Sequence, residues 1–190
     1  MKIKSQLDKK YRFDNFIKSD SNQDALSAGF FVSSKPGEKL FNPLLIYDGS
    51  GLGKTYLVNA IGNEIKERFP KKNVLCVTSN FFSMQCIEAI ENNNRDRFFN
   101  WLQLIDVFIL EDIQFLSGQT IAQELILDVL DTFFQKGKQI IITSDRMLTN
   151  MKDINPQLLS RFKTGIMVAL HQPEYQAKIT FLKNNIITHQ

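Results

Sequence analysis

The stretch from Asp48 to Thr55, with the sequence DGSGLGKT, lies between the apolar run Leu44 to Tyr47 and a long amphipathic segment. This order predicts a strand, a glycine-rich loop and a helix, which is the context in which phosphate-binding loops occur. Glycines let the loop backbone approach a phosphate closely, and the amide groups at the start of the following helix attract its negative charge. We therefore predict that this loop binds the phosphates of a nucleotide, rather than forming a glycine-rich turn without a ligand.

The residues of this loop have separate predicted roles. The Lys54 side chain is expected to reach the β- and γ-phosphates, and the Thr55 hydroxyl to bind Mg²⁺. The usual pattern, G-x-x-x-x-G-K-[S/T], begins with glycine, whereas this loop begins with Asp48. A carboxylate close to the phosphates repels them unless its side chain turns away. The predicted nucleotide-binding residues are Gly49, Ser50, Gly51, Leu52, Gly53, Lys54 and Thr55.

The composition is that of a globular protein, since 43% of the 190 residues are hydrophobic and 23% are charged. A formal net charge of +3 permits a nucleic-acid partner without requiring one. No apolar run reaches the length of a membrane-spanning helix, so we predict a cytoplasmic protein without a membrane partner. Cys76 and Cys86 form no C-x-x-C pair and both histidines are far from them in sequence. We therefore expect reduced thiols and no zinc-type site.

Apolar runs alternate with amphipathic segments along the chain. The strands are predicted at 44–47, 74–78, 107–110, 139–143 and 165–170. The helices are predicted at about 25–32, with Asn22 as its N-terminal cap, and at 54–68, 80–92, 95–102, 121–136, 156–162 and 173–186. Because continuous apolar strands alternate with helices, we predict an α/β fold with a parallel sheet covered on both faces.

Residues 1–12 are rich in lysine and poor in apolar side chains, which predicts a basic N-terminal arm or short lead-in. The segment 11–16, YRFDNF, is rich in aromatic rings. Packing in the core is the ordinary explanation for such rings, and a wall beside an adenine ring is the alternative.

Polar residues follow two further predicted strands and lie, like the phosphate loop, at their carboxyl ends. In an open α/β sheet, ligands bind at that edge. We predict that Glu111 binds Mg²⁺ and that Asp112 orients the attacking water. Asp145, with Thr143 and Ser144, is predicted to contact the γ-phosphate or that water. An exposed turn after each strand is the alternative for both groups.

With these motifs in order, residues 11–185 resemble the AAA+ ATPase domain of the bacterial replication initiator DnaA family. The resemblance rests on YRFDNF at 11–16, FNPL at 41–44, GLGKT at 51–55, DIQF at 112–115, GKQI at 137–140, TSDR at 143–146 and SRF at 160–162. It implies a three-layer P-loop NTPase core of the AAA+ type, in which helices flank a five-stranded parallel sheet. The domain would span residues 13–190.

The resemblance also implies a mechanism. The domain would bind ATP or ADP with Mg²⁺ and would assemble head to tail with copies of itself or with DnaA-type subunits. Arg161 resembles the arginine finger, which acts on the nucleotide of a neighbouring subunit. The alternative for Arg161 is an ordinary surface residue at the end of a short helix.

Several residues depart from the family pattern. Glu111 stands where the family has aspartate, and Gln157 where a second arginine is common. In the regions with which the family grips single-stranded DNA, Glu88 follows Ile87, and Gln119 and Ile121 replace basic residues. Because affinity for phosphates depends on such charges, we expect direct DNA binding to be weak.

We expect this chain to lack the family's helical lid and its C-terminal helix-turn-helix. It would then be either a fragment or a shortened paralogue.

Three functional hypotheses follow. The leading one is a DnaA-like domain that binds ATP with Mg²⁺, hydrolyses it slowly at most, and acts in initiation of chromosomal replication or its regulation. The second is a catalytically degenerate paralogue that binds DnaA-type subunits as a non-enzymatic regulator. The third is a helicase-loader-like ATPase with a replicative helicase as its partner. Origin DNA is a further partner that the resemblance allows.

Overall fold

The computed structural model describes residues 4–49, 51, 53–174 and 179. Its core is a five-stranded parallel sheet with the strand order β2-β3-β4-β1-β5. The strands are β1 Leu44–Tyr47, β2 Val74–Thr78, β3 Val107–Glu111, β4 Gln139–Ser144 and β5 Ile166–Ala169. Each agrees with the predicted strand to within one residue at either end, so the predicted parallel sheet is confirmed.

Helices cover both faces of this sheet. They are α1 Gln23–Ser34, α2 Lys54–Arg68, α3 Ser79–Glu91, α4 Arg95–Leu102, α5 Thr120–Gln135 and α6 Pro156–Phe162. The first two pack on one face and the other four on the opposite face, which confirms the predicted three layers. The helix predicted at 173–186 lies largely outside the described residues. No helix in the described part of the chain is long and apolar enough to cross a membrane.

The two faces of the sheet carry two separate apolar clusters. Because successive strand residues point to opposite faces, Leu45 belongs to the cluster beneath α3 and α5, whereas Leu44 and Ile46 belong to the one beneath α1 and α2. All three are fully buried. Burial on both faces explains why the strands are continuously apolar instead of alternating with polar residues.

Asn22 precedes α1, but its side chain makes no capping hydrogen bond to the helix. Its Oδ1 accepts a hydrogen bond from the Ser19 backbone N–H at 3.1 Å, and its Nδ2 donates to the Ile17 carbonyl at 2.9 Å. The predicted cap is therefore wrong, because the amide group is used to fix the turn before the helix.

Residues 4–12, which we expected to form an arm or lead-in, lie against the domain. The Gln6 N–H donates to the Cys76 carbonyl at 2.7 Å, and the Cys76 N–H donates to Ser5 Oγ at 3.1 Å. Leu7 packs against Gly62 of α2, where an added Cβ would lie 2.7 Å from the leucine side chain. The segment thus covers β2, an edge strand of the sheet whose backbone would otherwise be open to pairing.

A polar network joins the amino ends of β1 and β4. Asn42 Oδ1 accepts from the Ile140 N–H at 2.9 Å, and its Nδ2 donates to the Lys138 carbonyl at 2.8 Å. Gly165, just before β5, lies directly against the backbone of Asn42 and Pro43, since a Cβ there would be 2.1 Å from the Pro43 carbonyl oxygen. The FNPL and GKQI motifs therefore have a structural role at the edge opposite the phosphate loop.

Candidate nucleotide-binding site

The predicted phosphate loop follows β1 and leads directly into α2. Gly51 and Gly53 have φ angles of +78° and +95°, which glycine adopts without steric cost. Asp48 has a φ of +146°, a conformation that side chains disfavour and that the usual glycine at this position would accept. Ser50 and Leu52, two of the predicted nucleotide-binding residues, lie outside the described residues.

Lys54 is the first residue of α2 and is 7% exposed. Its Nζ donates hydrogen bonds to the carbonyl oxygens of Asp48 and Gly49, both at 2.6 Å. Burial lowers the pKa of Lys54, and the carboxylates of Asp112, Asp145 and Asp48 oppose that shift. The lysine is thus an enclosed cation close to the carboxylates of three strand ends.

Glu111 ends β3 and is 6% exposed. Burial raises the pKa of its carboxyl group, an effect opposed by hydrogen bonds from the Thr55 hydroxyl and from the Cys76 thiol, whose Sγ lies 3.3 Å from Oε1. A hydroxyl and a carboxylate side by side are oxygen ligands of the kind that Mg²⁺ binds together with phosphates. The residues that the sequence assigned to the metal therefore meet, and their chemistry fits the ion.

Asp112 has a φ of +60° and immediately precedes a short 3₁₀ helix, Ile113–Leu116. Its N–H donates to Thr143 Oγ1 at 2.9 Å, and its carbonyl accepts from Ser79 Oγ at 2.6 Å. These two contacts hold the turn against β4 and α3. The backbone of the residue that carries the predicted catalytic carboxylate is therefore fixed by hydrogen bonds of both its N–H and its carbonyl group.

Gln114 connects two of the predicted site residues, although the sequence analysis gave it no role. Its Nε2 donates to Asp112 Oδ1 at 3.2 Å, and its Oε1 accepts from the Asp145 N–H at 3.3 Å. It belongs to the DIQF motif, which was the one signal that could have identified it.

Asp145 lies at the end of β4 with its side chain 19% exposed. The guanidinium group of Arg146 donates to both of its carboxylate oxygens, at 2.7 and 2.8 Å. Arg146, with a smaller contribution from Lys54, holds the pKa of Asp145 below its ordinary value. The structure thus places Asp145 at the carboxyl edge of the sheet, where its charge acts on Lys54, and pairs it with Arg146.

Arg161 does not join this site. On α6, its Nε donates to Asp131 Oδ1 of α5 at 2.5 Å, and its side chain is 45% exposed. It lines a groove with Asn42, Gly137 and Thr164, which all precede strands. Arg161 therefore lies at the amino edge of the sheet, whereas the phosphate loop lies at the carboxyl edge, about 13 Å away along β1.

Two aromatic residues of the YRFDNF segment belong to the core. Phe13 and Phe16 are 3% and 7% exposed and pack with α1 and α2. The core-packing explanation is confirmed for these two rings. Tyr11 lies farther out, with its ring centroid 4.6 Å from that of Tyr56.

Known proteins similar to this chain in sequence and fold include initiators of replication. The family model described as "Bacterial DnaA ATPAse domain" matches residues 7–169. The chromosomal replication initiator protein DnaA of Flavobacterium psychrophilum is 50% identical over 184 residues, which cover 97% of this chain and 38% of that protein. This chain therefore spans well under half the length of that relative.

Solved structures agree. Domain III of the Thermotoga maritima replication initiation protein DnaA has a TM-score of 0.91 at 30% identity, covering 97% of this chain and 77% of that one. A replication initiator DnaA bound to AMPPCP and single-stranded DNA has a TM-score of 0.88 at 30% identity, covering 97% and 56%. The DnaC helicase loader, at 16% identity and a TM-score of 0.73, shares the fold alone. On the family match and these relatives, the chain belongs to the bacterial DnaA ATPase domain family.

Proposed function

We propose that this chain binds ATP with Mg²⁺ at the carboxyl edge of its sheet and acts, as an AAA+ domain spanning residues 13–190, in initiation of chromosomal replication or its regulation. The observation that carries the proposal is the convergence of the phosphate loop, Asp112 and Asp145 around the enclosed cation of Lys54. Glu111 joins this site through its hydrogen bond with Thr55. Binding of the ATP analogue AMPPCP by a DnaA relative supports it.

Each site residue has a role in this proposal. Loop amides and Lys54 bind the phosphates, while Thr55 and Glu111 hold Mg²⁺, which offsets charge on the β- and γ-phosphate oxygens. Asp112 orients the attacking water, and Asp145 contacts the γ-phosphate or that water. Hydrolysis is slow at most, because Glu111 places the metal-binding carboxylate one methylene farther from the strand than the aspartate of the family does.

The metal site is tested by Glu111→Gln. We expect Mg²⁺ to strengthen ATP binding by the unchanged protein. In the presence of Mg²⁺, the Glu111→Gln variant should bind ATP about tenfold more weakly than the unchanged protein, since an amide is a weaker metal ligand than a carboxylate. Affinity without Mg²⁺ should stay the same. Equilibrium titration with a fluorescent ATP analogue, with Mg²⁺ or with a chelator, measures both.

The control for this experiment is Glu124→Gln, which neutralises an exposed carboxylate of α5. Thermal unfolding checks the fold, and we expect no loss of stability in Glu111→Gln, because burial already disfavours the charge that the variant removes. An equal Mg²⁺ effect in the unchanged protein and in Glu111→Gln would contradict the assigned role.

We further propose that the chain assembles head to tail with copies of itself or with DnaA-type subunits, with Arg161 reaching the nucleotide of the neighbour. The support is the position of Arg161 at the edge opposite its own loop, from which it can act only on another subunit. An exposed cation there, oriented by Asp131, suits a phosphate group of a partner.

Arg161→Ala is expected to abolish association in the presence of AMPPCP, because it removes the cation that contacts the neighbour's γ-phosphate. Analytical ultracentrifugation of the chain, alone and mixed with DnaA of F. psychrophilum, measures the association. Lys163→Ala removes an exposed cation two residues away and should leave it unchanged. If the Arg161→Ala variant associates as strongly as the Lys163→Ala variant, Arg161 is an ordinary surface residue.

Direct contact with DNA is proposed to be weak. A DnaA relative of known structure binds single-stranded DNA, but Ile87 and Ile121 are 37% and 57% exposed here and offer no charge to a phosphate. Glu88 adds a negative charge to the same helix as Ile87. The likeness to the helicase loader concerns the fold, and no contact in the described residues favours a loader function.

A further inference from the structure

Asp48 contacts a residue from a distant part of the chain. Its Oδ2 lies 2.5 Å from Nδ1 of His171, and its Oδ1 accepts a hydrogen bond from the Gly49 N–H at 2.7 Å. Lys54 contacts the Asp48 carbonyl rather than the carboxylate. The carboxylate of the first residue of the phosphate loop is therefore in contact with a histidine, whereas Lys54 bonds the backbone of the same residue.

The register of the sheet creates this pair. Strands β1 and β5 are neighbours, with Tyr47 opposite Ala169, and the Leu170 N–H donates to the Tyr47 carbonyl at 2.9 Å. Asp48 follows Tyr47 and His171 follows Leu170, so each lies one residue beyond this hydrogen bond. Two residues that are 123 positions apart (171 − 48) in sequence are thus adjacent at the carboxyl edge.

An unpaired carboxylate at this position would oppose nucleotide binding in two ways. Its charge would repel the phosphates, and its oxygen could rotate into the space that they need, because the side chain is 32% exposed and borders the loop. In the observed geometry the imidazole of His171 contacts one carboxylate oxygen at the end of β5, and the Gly49 N–H donates to the other. Lys54 Nζ donates to the backbone carbonyl of Asp48, so the histidine and the lysine contact different groups of this residue.

We propose that His171 is a positioning residue for the phosphate loop: it holds one oxygen of the Asp48 carboxylate at the end of β5, so that this oxygen does not rotate into the space of the phosphates and a loop beginning with aspartate accepts a nucleoside triphosphate. The inference rests on the proposed nucleotide binding. It assigns to the segment after β5 a role in setting affinity for the triphosphate, the ligand with the largest charge.

A double-mutant cycle tests this inference. His171→Ala should weaken ATP binding about tenfold and ADP binding less, because the released carboxylate acts most strongly on the more charged ligand. Asp48→Gly should bind ATP at least as tightly as the unchanged protein. In the Asp48→Gly background, His171→Ala should have no further effect, since there is no carboxylate left to hold. His171→Gln, which keeps a hydrogen-bond donor, should recover part of the loss.

Gln172→Ala, at the exposed neighbour of His171, is the matched control and should bind as the unchanged protein does. Equal affinities for His171→Ala and the unchanged protein would overturn the inference, as would an equal loss with and without Asp48. If the Asp48→Gly variant binds ATP and the unchanged protein does not, His171 does not make the loop accept the nucleotide, and the inference is overturned. The proposal that the loop is a nucleotide site would then still hold. Absence of binding by both would overturn the proposed function itself, and the inference with it.

Discussion

Lys54→Ala is expected to weaken ATP binding at least about 100-fold, which is the loss typical for removal of one charged donor from an enclosed site. The Nζ lies 2.6 Å from two loop carbonyls and is close to Asp112 and Asp145. Without it, the phosphates would meet these carboxylates with no cation from the loop between them. Equilibrium titration with labelled ATP measures the effect, which should be large both with and without Mg²⁺.

The control for this variant is Lys66→Ala, which removes an exposed cation from the last turn of the same helix. Far-ultraviolet circular dichroism and thermal unfolding establish that Lys54→Ala is folded. We expect little loss of stability, because burial already lowers the pKa of Lys54 and so disfavours its charge. A folded Lys54→Ala protein that binds ATP within threefold of the control would refute the nucleotide site.

Gly165→Ala is expected to lower the free energy of unfolding by about 3 kcal/mol, the upper end of the range for overpacking. A Cβ there would be 2.1 Å from the Pro43 carbonyl oxygen and 2.6 Å from the Asn42 carbonyl carbon. These are backbone atoms that cannot rotate away. Because Asn42 also bonds to the backbone on either side of Gln139, the displacement would spread to β1 and β4.

Urea unfolding of Gly165→Ala beside Gly118→Ala measures this effect. Gly118 has a φ of +72° and open space around it, so alanine there should cost only about 1 kcal/mol of backbone strain. A difference of less than about 1 kcal/mol between the two variants would mean that the turn at Asn42 adjusts more easily than its contacts indicate.

The sequence was sufficient to predict most of the fold, because strands buried on both faces must be continuously apolar. Leu44 to Tyr47 and Val74 to Thr78 form strands with the predicted bounds. The errors arose where a tertiary contact replaced a local one. Asn22 bonds backward to Ile17 instead of capping α1, and Leu7 packs on α2, although lysines flank its segment.

The candidate site was partly predictable for a related reason. Parallel strands bring their carboxyl ends to one edge, so the strand pattern alone predicts that Lys54, Asp112 and Asp145 lie at the same edge of the sheet. The roles of Gln114 and Arg146 depend on the turns after β3 and β4, whose backbone angles the residue types do not specify. The pairing of Asp48 with His171 was not predictable, because it requires that β5 lie beside β1, and the sequence pattern leaves strand order open.

The placement of Arg161 and the phosphate loop at opposite edges of the sheet gives the molecule a polarity. Any chain of subunits joined through these two edges has unlike ends, one presenting an open loop and the other an unused arginine. Growth at each end therefore depends on a different residue of the incoming subunit. A subunit without Arg161 could still be joined through its loop, and it would then stop growth at the end that presents the arginine. A subunit without Lys54 could be joined through its Arg161, and it would stop growth at the end that presents the loop.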